Sequence, residues 1–478
     1  MEKKTKIVAT IGPASETKEA LRELISAGMN VARINFSHGT HESNGKVIDF
    51  VKELREEMNV PIGIMADLQG PRIRTVVKKE TVIEEGEAVY IYDISNDIAK
   101  MALDGGQKII GLDVPGIIRD IEEGNDILIE DGLMRVKIIE KKKEYLVAKV
   151  EAGGTVKNHK GTNIPDAKLH IPVVTEKDEK DLEFALKKEV DFVALSFVGS
   201  AKEIGETREK IKKILGRGEN LPWIVSKIER KEAIKNIDEI ISESDVVMVA
   251  RGDLGIELPE TKVVIYQKEI IAKCLERIRP VIVATQMLDS MIEKPIPTRA
   301  EVSDVSNAVI DHTDATMLSG ESANGKYPVK ALEMMNRIIS DVEESKLDDF
   351  VPHLSHEKIF SDYGSVISSA YKLAKNSNAK AILAVSRSGF TARSISNFRP
   401  EKKILVATGS QKTYNQLSIV WGIEPYFFDK EKPEEYIELM VKKAKLEKKV
   451  KKGDKIVEII GGTFGKEQMR LVGIKEIS

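Results

Sequence analysis

The chain has 478 residues, of which 41% are hydrophobic and 32% are charged, and its formal net charge at pH 7 is −3. This length predicts roughly two to four domains, and the balanced charge argues against nucleic acid as the main partner. A single cysteine, Cys274, excludes a disulfide framework. Because we find neither a signal-like segment nor an apolar run long enough for a bilayer, we expect a cytoplasmic protein without membrane attachment.

Short β-branched runs alternate with charged, amphipathic segments over most of the first two thirds of the chain. The predicted strands are Lys6–Ile11, Val31–Phe36, Ile62–Leu68, Phe192–Phe197, Trp223–Ile228, Val246–Ala250, Val281–Thr285 and Ala315–Leu318. The segments between them have helical patterns, for example Lys18–Ala27 and Lys177–Lys188. Strand–helix units repeated in this way favour a closed (β/α)8 TIM barrel, with an open doubly wound sheet as the alternative.

The alternation stops between Thr75 and about Asn163, where closely spaced strand patterns follow one another. These patterns are Ala88–Tyr92, Asp126–Glu130, Arg135–Ile139 and Tyr145–Val150. They predict a small all-β domain inserted after the third strand, at the face where a barrel keeps its active site.

A second α/β pattern begins beyond about Ser355. Its predicted elements are the helices Tyr363–Lys375, Ala392–Phe398 and Pro433–Glu447 and the strands Ala381–Val385, Lys403–Thr408 and Lys455–Ile460. The predicted fold class is therefore α/β in three domains: a barrel in residues 1–74 and 163–345, an inserted β domain in 75–162, and a C-terminal α/β domain in 346–478.

Charged residues stand at the carboxyl ends of two neighbouring predicted strands. Side chains alternate along a strand, so Lys227 and Glu229 are predicted to lie on one face, with Asp253 just after the next strand. Two carboxylates that leave coordination positions for water and substrate suit magnesium, and the cation beside them suits an anionic, phosphorylated substrate. The alternative is that the carboxylates form ordinary salt bridges with Lys227 or Arg230.

Further polar residues end other predicted strands. Arg33, Asn35 and Ser37 share one face, and a forked guanidinium at this place matches a phosphate, although a polar strand end in solvent remains the alternative. Asp67 is placed to join the same site. Thr285 offers a hydroxyl group, but a single threonine is more often only a good strand former.

Several longer motifs together resemble those of pyruvate kinases, in the same order and over essentially the whole chain. The matching segments are Thr10–Ser15, Arg33–His38, Ser226–Glu229, Met248–Gly255, Ala284–Met291, Pro297–Asp304 and Met317–Glu321. The resemblance implies phosphoryl transfer from phosphoenolpyruvate to ADP in glycolysis, giving pyruvate and ATP. It also implies that the inserted domain is a β-barrel lid, that the C-terminal domain is regulatory and binds an effector, and that the protein is a homotetramer.

The resemblance also implies the roles of individual residues. Arg33 matches the phosphate-binding arginine, Lys227 the catalytic lysine, and Glu229 and Asp253 the ligands of Mg²⁺ or Mn²⁺. The positions around the substrate carboxylate and enol carbon are Gly252, Asp253 and Thr285, the last of which is linked to a proton relay. The implied nucleotide contacts are Asn35, Phe36, Ser37, His38, Arg74 and Lys160.

Potassium dependence is doubtful on the same comparison. Asn35, Ser37, Asp67 and the carbonyl of Leu68 match a K⁺ pocket, but potassium-dependent members have Asp-Thr-Lys-Gly-Pro-Glu where this chain has Asp67–Arg72. Because Arg72 places a fixed positive charge where those members have an acid, we expect weak or absent dependence on K⁺.

A segment of the C-terminal domain resembles the loop that binds the phosphate of an allosteric effector. Its residues are Ser386, Arg387, Ser388, Gly389, Phe390 and Thr391. The later effector loop is replaced by Gly461–Lys466, so fructose 1,6-bisphosphate, a sugar monophosphate and AMP stay open as effectors. A plain strand-to-helix turn is the alternative for the first segment.

Two other functions remain open from the sequence. A carbon–carbon lyase could use Lys227 as a Schiff base or the same metal pair, although the nucleotide lid with Lys160 argues against it. A non-catalytic effector-binding protein of the same fold is the second, against which the intact set of site residues argues.

Overall fold

The computed structural model describes residues 3–95, 107–216, 220–348, 362–429, 433–464 and 467–478. The predicted start of the C-terminal pattern near Ser355 lies outside these residues, as do Gly465 and Lys466 of the later effector loop.

Eight parallel strands close into a barrel in the order β1-β17-β16-β15-β14-β13-β3-β2. The strands are β1 Lys6–Ile11, β2 Val31–Asn35, β3 Gly63–Asp67, β13 Phe192–Leu195, β14 Trp223–Ile228, β15 Val246–Ala250, β16 Val281–Ala284 and β17 Ala315–Leu318. Most of their residues are buried, as expected for strands covered on one face by helices and filled on the other by side chains. The predicted TIM barrel is confirmed, and the open sheet is wrong.

Helices surround this barrel and pack on its outer face. They are α1 Lys18–Ser26, α2 His41–Met58, α3 Glu176–Lys187, α4 Ala201–Leu215, α5 Lys231–Lys235, α6 Ile237–Glu243, α7 Arg251–Glu257, α8 Glu260–Glu276, α9 Arg299–Ile310, α10 Gly320–Ala323 and α11 Pro328–Glu343. Threonines at 17, 40, 175 and 298 begin four of them and accept a backbone hydrogen bond from the first turn.

The insertion after β3 is a second closed barrel, with strand order β10-β6-β7-β4-β12-β8-β9, and a separate pair, β11-β5. Its strands are β4 Ile73–Val76, β5 Thr81–Ile83, β6 Ala88–Asp93, β7 Ile109–Leu112, β8 Asp126–Ile129, β9 Met134–Lys141, β10 Leu146–Ala152, β11 Gly154–Val156 and β12 Gly161–Asn163. It has its own apolar core, which includes Val89, Ile127 and Val136. The predicted all-β insertion is therefore confirmed.

The C-terminal α/β unit has a five-stranded sheet in the order β20-β19-β18-β21-β22, in which only β22 is antiparallel to its neighbour. The strands are β18 Ala381–Val385, β19 Lys403–Thr408, β20 Ile423–Phe427, β21 Lys455–Phe464 and β22 Glu467–Glu476. The helices are α12 Asp362–Asn376, α13 Phe390–Ser396, α14 Gln411–Gln416 and α15 Pro433–Leu446.

This C-terminal unit closes the amino-terminal end of the large barrel. One apolar cluster runs from barrel-interior residues such as Met65 and Val225 to C-terminal residues such as Ile382 and Trp421. A buried ion pair also joins the two parts, with Arg399 Nη2 3.0 Å from Asp314 Oδ2. The opposite, carboxyl end of the barrel is left for the site and the inserted domain.

Among the residues described here, no helix is both long enough and apolar enough to cross a membrane.

Candidate active site

The ammonium group of Lys227 lies at the carboxyl end of β14, enclosed by three oxygen-bearing side chains. Its Nζ is 2.9 Å from Oε1 of Glu229, 3.2 Å from Oδ1 of Asp67 and 2.7 Å from Oγ of Ser196. Lys227 is 8% exposed and Glu229 is 1% exposed. Lys227 and Glu229 therefore lie on the same face, as predicted.

This enclosure keeps the lysine charged. Burial alone lowers the pKa of Lys227, but the nearby carboxylates of Asp67 and Glu229 outweigh it, so the pKa is raised above its ordinary value. Burial likewise raises the pKa of Asp67, yet Arg33 and Lys227 outweigh it and hold that pKa low. At neutral pH the cluster therefore contains an ammonium and an aspartate carboxylate.

Arg33 extends the cluster along the barrel mouth. Its Nε donates to Oδ2 of Asp67 at 2.6 Å, and its Nη1 donates to Oγ1 of Thr10 at 2.9 Å. The β2–β3 register, which pairs Asn35 with Asp67, brings the two strand ends together. Arg33 and Lys227 thus contact the same carboxylate, which brings two cationic side chains together where an anion could bind.

Glu229, unlike Asp67, has a pKa that is raised above its ordinary value. Burial raises its pKa and the charge of Asp253 adds to this, while Lys227 opposes both, so that the pKa is about 7. Its Oε2 accepts a hydrogen bond from the backbone N–H of Phe197 at 2.6 Å. Asp253 lies at the edge of the cleft with 28% of its side chain exposed.

These two acids fit a divalent cation. The pKa of Glu229 is raised mainly by burial and further by the charge of Asp253, and a Mg²⁺ ion held by both acids would favour their charged forms. Two protein carboxylates, with water and substrate as the other ligands, is a donor set that Mg²⁺ accepts. Within the described ranges, no cluster of three or more acidic, histidine or cysteine side chains offers an all-protein metal site.

Thr285 lies just after β16 in a strained turn, one residue beyond the observed strand end. Thr285 and Gln286 have φ angles of 71° and 54°, which cost about 1–3 kcal/mol each for residues other than glycine. The Thr285 Oγ1 accepts a hydrogen bond from the backbone N–H of Gly252 at 2.8 Å. A Cβ atom at Gly252 would lie 3.4 Å from that oxygen, an ordinary van der Waals distance, so this contact does not itself require glycine.

Three of the four predicted potassium ligands, namely Asn35, Asp67 and the carbonyl of Leu68, already have partners in the protein. Oδ1 of Asn35 accepts from the N–H of Ser37 at 3.1 Å, and the carbonyl of Leu68 accepts from Ser196 Oγ at 2.8 Å. Both carboxylate oxygens of Asp67 face cationic side chains. Arg72 Nη2 lies 3.9 Å from Asp253 Oδ1, so a guanidinium reaches the site itself.

The predicted nucleotide residues come from two parts of the molecule. Phe36 is buried after β2, whereas His38 is exposed. Arg74 lies on β4 and Lys160 next to β12, and Lys160 Nζ is 2.5 Å from Glu130 Oε1 within the inserted domain. A narrow cleft of about 50 Å³ separates that domain from Asp253 and Arg72.

Sequence reasoning missed three residues that support this site. Ser196 bonds Lys227, Lys177 Nζ donates to the carbonyl of Phe36 at 2.7 Å, and Arg251 contacts the Thr285 turn. Two of them could have been found from their position in the sequence, because Ser196 and Arg251 each directly follow a barrel strand.

The predicted effector segment lies at the other end of the barrel. Ser386 is buried after β18, Arg387 and Ser388 are exposed, and Gly389 has a φ of 79° before α13. A Cβ atom at Gly389 would lie 3.0 Å from the Trp223 ring, at the base of β14. The segment therefore does not join the barrel-mouth site.

The fold and the barrel-mouth cluster define a TIM-barrel enzyme with an inserted β domain over a site for anions. Two family models match the chain: "Pyruvate kinase, barrel domain" over residues 2–332 and "Pyruvate kinase, alpha/beta domain" over residues 364–471. The chain belongs to the pyruvate kinase family, and it is an enzyme of that family.

Individual relatives agree. The pyruvate kinase of Staphylococcus epidermidis is 41% identical over 436 residues, and that of Staphylococcus aureus is 41% identical over 434 residues; each match covers 88% of this chain and 71% of the relative. A crystal structure of a pyruvate kinase from Cryptosporidium parvum has a TM-score of 0.90 at 34% identity, covering 100% of this chain and 97% of that one.

Proposed function

We propose that this enzyme transfers the phosphoryl group of phosphoenolpyruvate to ADP in the cytoplasm, giving pyruvate and ATP. The observation that carries the proposal is the chain of ionic contacts from Arg33 through Asp67 and Lys227 to Glu229 at the barrel mouth. Family membership supports the same reaction.

The phosphoryl group is placed at Arg33 and Lys227. As its bond to the enol oxygen breaks and a bond to the terminal phosphate oxygen of ADP forms, negative charge moves across this group and onto the enolate. The guanidinium and the ammonium lie fixed and largely out of water, so their charges stabilise that change without reorganisation.

The enolate end is placed at Gly252, Asp253 and Thr285. The methylene carbon takes a proton as the enolate becomes pyruvate. The Thr285 hydroxyl relays this proton, giving its own to the carbon and taking one from solvent water. Its hydrogen bonds to the Gly252 N–H and the Ala284 carbonyl fix the oxygen at this spot.

Glu229 and Asp253 would hold Mg²⁺ or Mn²⁺. The bound cation supplies neutralisation of substrate oxygens, which phosphoryl transfer needs. We also propose that turnover does not need K⁺, because the guanidinium of Arg72 already places a positive charge near Asp253.

The nucleotide is placed between the barrel and the inserted domain, with the contacts Asn35, Phe36, Ser37, His38, Arg74 and Lys160. Strands β4 and β12, which carry or adjoin Arg74 and Lys160, lie where the chain enters and leaves that domain. The proposed domain limits are 1–74 with 163–345, 75–162 and 346–478, and the strands β4 and β12 extend the inserted barrel one or two residues beyond them, to Ile73 and Asn163. Movement of the inserted domain would bring Lys160 toward the barrel and exclude water.

Regulation is placed in the C-terminal domain, with a phosphorylated metabolite at Ser386–Thr391. The exposed Arg387 and Ser388 support an anionic ligand there. A homotetramer is supported by exposed apolar side chains on α8, Val264 and Ile265, and by the exposed Leu471 on the edge strand β22.

The test is a coupled assay of phosphoenolpyruvate with ADP, with and without Mg²⁺, followed by product analysis. ADP-dependent formation of pyruvate and ATP is expected, and its absence with Mg²⁺ present would contradict the proposal. The raised pKa of Lys227 speaks against the Schiff-base lyase, because an ammonium is not a nucleophile. Trapping of pyruvate by borohydride would revive that lyase.

A further inference from the structure

We propose that Arg251 is a positioning residue that holds the strained Thr285–Gln286 turn and so sets the rate of proton delivery to the enolate. This inference rests on the role of Thr285 proposed above. Arg251 is the first residue of α7, directly after β15, and it is 8% exposed. Its side chain extends to the neighbouring turn after β16.

A single nitrogen of Arg251 contacts the whole turn. Nη2 donates to the carbonyl of Thr285 at 2.7 Å and to that of Gln286 at 3.3 Å, and it lies 2.8 Å from Sδ of Met287. These two carbonyls belong to the two residues with positive φ. A threonine is rarely found in this conformation, because its branched Cβ crowds the backbone. The guanidinium therefore donates hydrogen bonds to the two residues whose strained backbone conformation most needs stabilisation from outside the turn.

The guanidinium is itself fixed from two other helices. Its Nη1 lies 2.8 Å from each carboxylate oxygen of Asp304 on α9, and 3.4 Å from Oε1 of Gln267 on α8. The rigid fork of an arginine can bond the acid and the carbonyls at once, which the single ammonium of a lysine cannot do equally well. The turn is thereby tied to α8 and α9.

This hold determines where the Thr285 hydroxyl lies. The turn and α7 meet at the hydrogen bond from the Gly252 N–H to Thr285 Oγ1, one residue along the chain from Arg251. If the guanidinium is removed, the turn can relax toward negative φ, and the hydroxyl moves away from the proposed enolate position. Because reacting groups must be placed within a fraction of an ångström, such a shift slows the proton step more than it weakens substrate binding.

The test compares R251M and R251K with the control R208M. Arg208 also forms a partly buried ion pair, with Asp245 at 2.9 Å, but it lies away from the barrel mouth. We expect R251M to lower kcat about 100-fold while KM for phosphoenolpyruvate and for ADP stays within about twofold. R251K should recover part of kcat, and R208M should lower the unfolding temperature while keeping kcat.

A second readout follows the proton step directly. Running that step backwards replaces the methyl hydrogens of pyruvate by deuterium from D₂O when ATP and Mg²⁺ are present, and NMR measures this exchange. The exchange should fall in R251M as strongly as kcat does. D304N, which keeps Arg251 but removes its anchor, should lower both rates about tenfold, and it decides the matter should R251M not fold.

An R251M or D304N protein with unchanged kcat, or with slow turnover but normal exchange, would overturn the inference. So would a loss that R208M matches in kcat, KM and unfolding temperature. A wild-type protein that forms no pyruvate from phosphoenolpyruvate would instead contradict the proposed function itself, so the two failures are distinguishable.

Discussion

At the scale of single residues, the site depends on charges that compensate one another. Lys227 touches Asp67, Glu229 and Ser196, and Asp67 in turn touches Arg33. Each ion in this cluster is nearly removed from water, so deleting one leaves a buried neighbour with fewer partners of opposite charge. Charge changes here should therefore affect rate and stability differently from the same changes elsewhere.

Replacing the lysine tests the electrostatic part of the mechanism. We expect K227M to lower kcat/KM by about 10²–10³-fold, because one preorganised contact to the developing charge is lost. K6M is the matched control, since Lys6 is also buried on a barrel strand but bonds the carbonyl of Ile423 at the opposite end. A K227M enzyme that turns over like K6M would contradict the role of the lysine.

Replacing Asp67 gives a pH-dependent effect on stability. The pKa of Asp67 is held low in the folded protein, below its unfolded value of about 3.9, so its contribution is present above that pH and is lost as the pH falls through the folded pKa. D67N should cost about 3–5 kcal/mol at pH 7, because Arg33 and Lys227 lose a buried partner. Urea unfolding from pH 7 to pH 3 measures this.

The difference between D67N and the wild type should stay constant down to about pH 4 and shrink below it. A difference that already disappears between pH 7 and pH 5 would contradict a lowered pKa for Asp67.

Arg72 provides the test of potassium dependence. Because its guanidinium lies near Asp253, replacing tetramethylammonium by K⁺ should raise the wild-type rate by less than about tenfold, or 1.4 kcal/mol. R72E, which restores an acid, should lower the rate without K⁺ and regain part of it with K⁺. A wild-type stimulation well above tenfold would contradict this assignment.

The site residues could be predicted from the sequence where the residue type is itself unusual for its position. Lys227, Glu229 and Asp67 were found because a charge at the end of an apolar strand is unusual. Ser196 and Arg251 were missed although each directly follows a strand, since their partners, Lys227 and the Thr285 turn, come from other strands and are brought near only by folding. Nor does the sequence reveal that Leu68 offers its carbonyl to Ser196.

At the scale of elements, apolar strands were predictable and polar ones were not. β1, β14, β15 and β17 have the predicted limits because each consists mainly of β-branched or apolar residues between polar segments. The strand β20, in contrast, contains Glu424 and Pro425 and was not predicted. This segment is a strand because it pairs in parallel with β19, where Ile423 lies opposite Ile404, in a sheet whose central strands are apolar.

The short strands of the inserted domain show the same limit. β5 and β11 have three residues each and pair only with one another, and β12 consists of Gly161, Thr162 and Asn163. Such segments carry too little periodicity to be recognised, so they are strands only through their partners. The local patterns predicted strands here but not their pairing, and the β-barrel expected for this domain came from the family resemblance; the structure does contain a closed barrel.

Lys160 is the element-level test of the inserted domain. It is paired with Glu130 on the same domain, and we propose that it exchanges this partner for a nucleotide phosphate. K160A should raise KM for ADP about tenfold, the effect of one charge-assisted hydrogen bond, while KM for phosphoenolpyruvate stays unchanged. K149A, on the exposed face of β10, is the control. Equal effects on both substrates would contradict the assignment.

At the scale of the whole molecule, the barrel and the C-terminal domain form one packed body. Arg399 enters the amino-terminal end of the barrel, where it pairs with Asp314 and lies 5.0 Å from the centre of the Trp421 ring. Asp314 also accepts the N–H of Trp421 at 3.2 Å. The two parts should therefore unfold together.

Breaking this pair should uncouple them. R399M leaves Asp314 buried without its cation and should cost about 3–5 kcal/mol, seen in calorimetry as a lower or divided unfolding transition. At low temperature the barrel-mouth rate should remain, because the site is at the opposite end. The double variant R399M/D314N should recover part of the lost stability, and a single unchanged transition in R399M would contradict this coupling.

The strand β14 connects the two ends of the molecule over a short distance. Trp223 at its first position lies under the guanidinium of Arg393, 4.7 Å away, on the helix that follows the predicted effector segment. Lys227 is four residues further along, or about 13 Å in an extended chain. If a metabolite binds at the proposed effector segment, a shift of α13 would act on Trp223, the first residue of the strand that carries Lys227. The proposed effector segment and the catalytic lysine would then be connected through one continuous strand, β14.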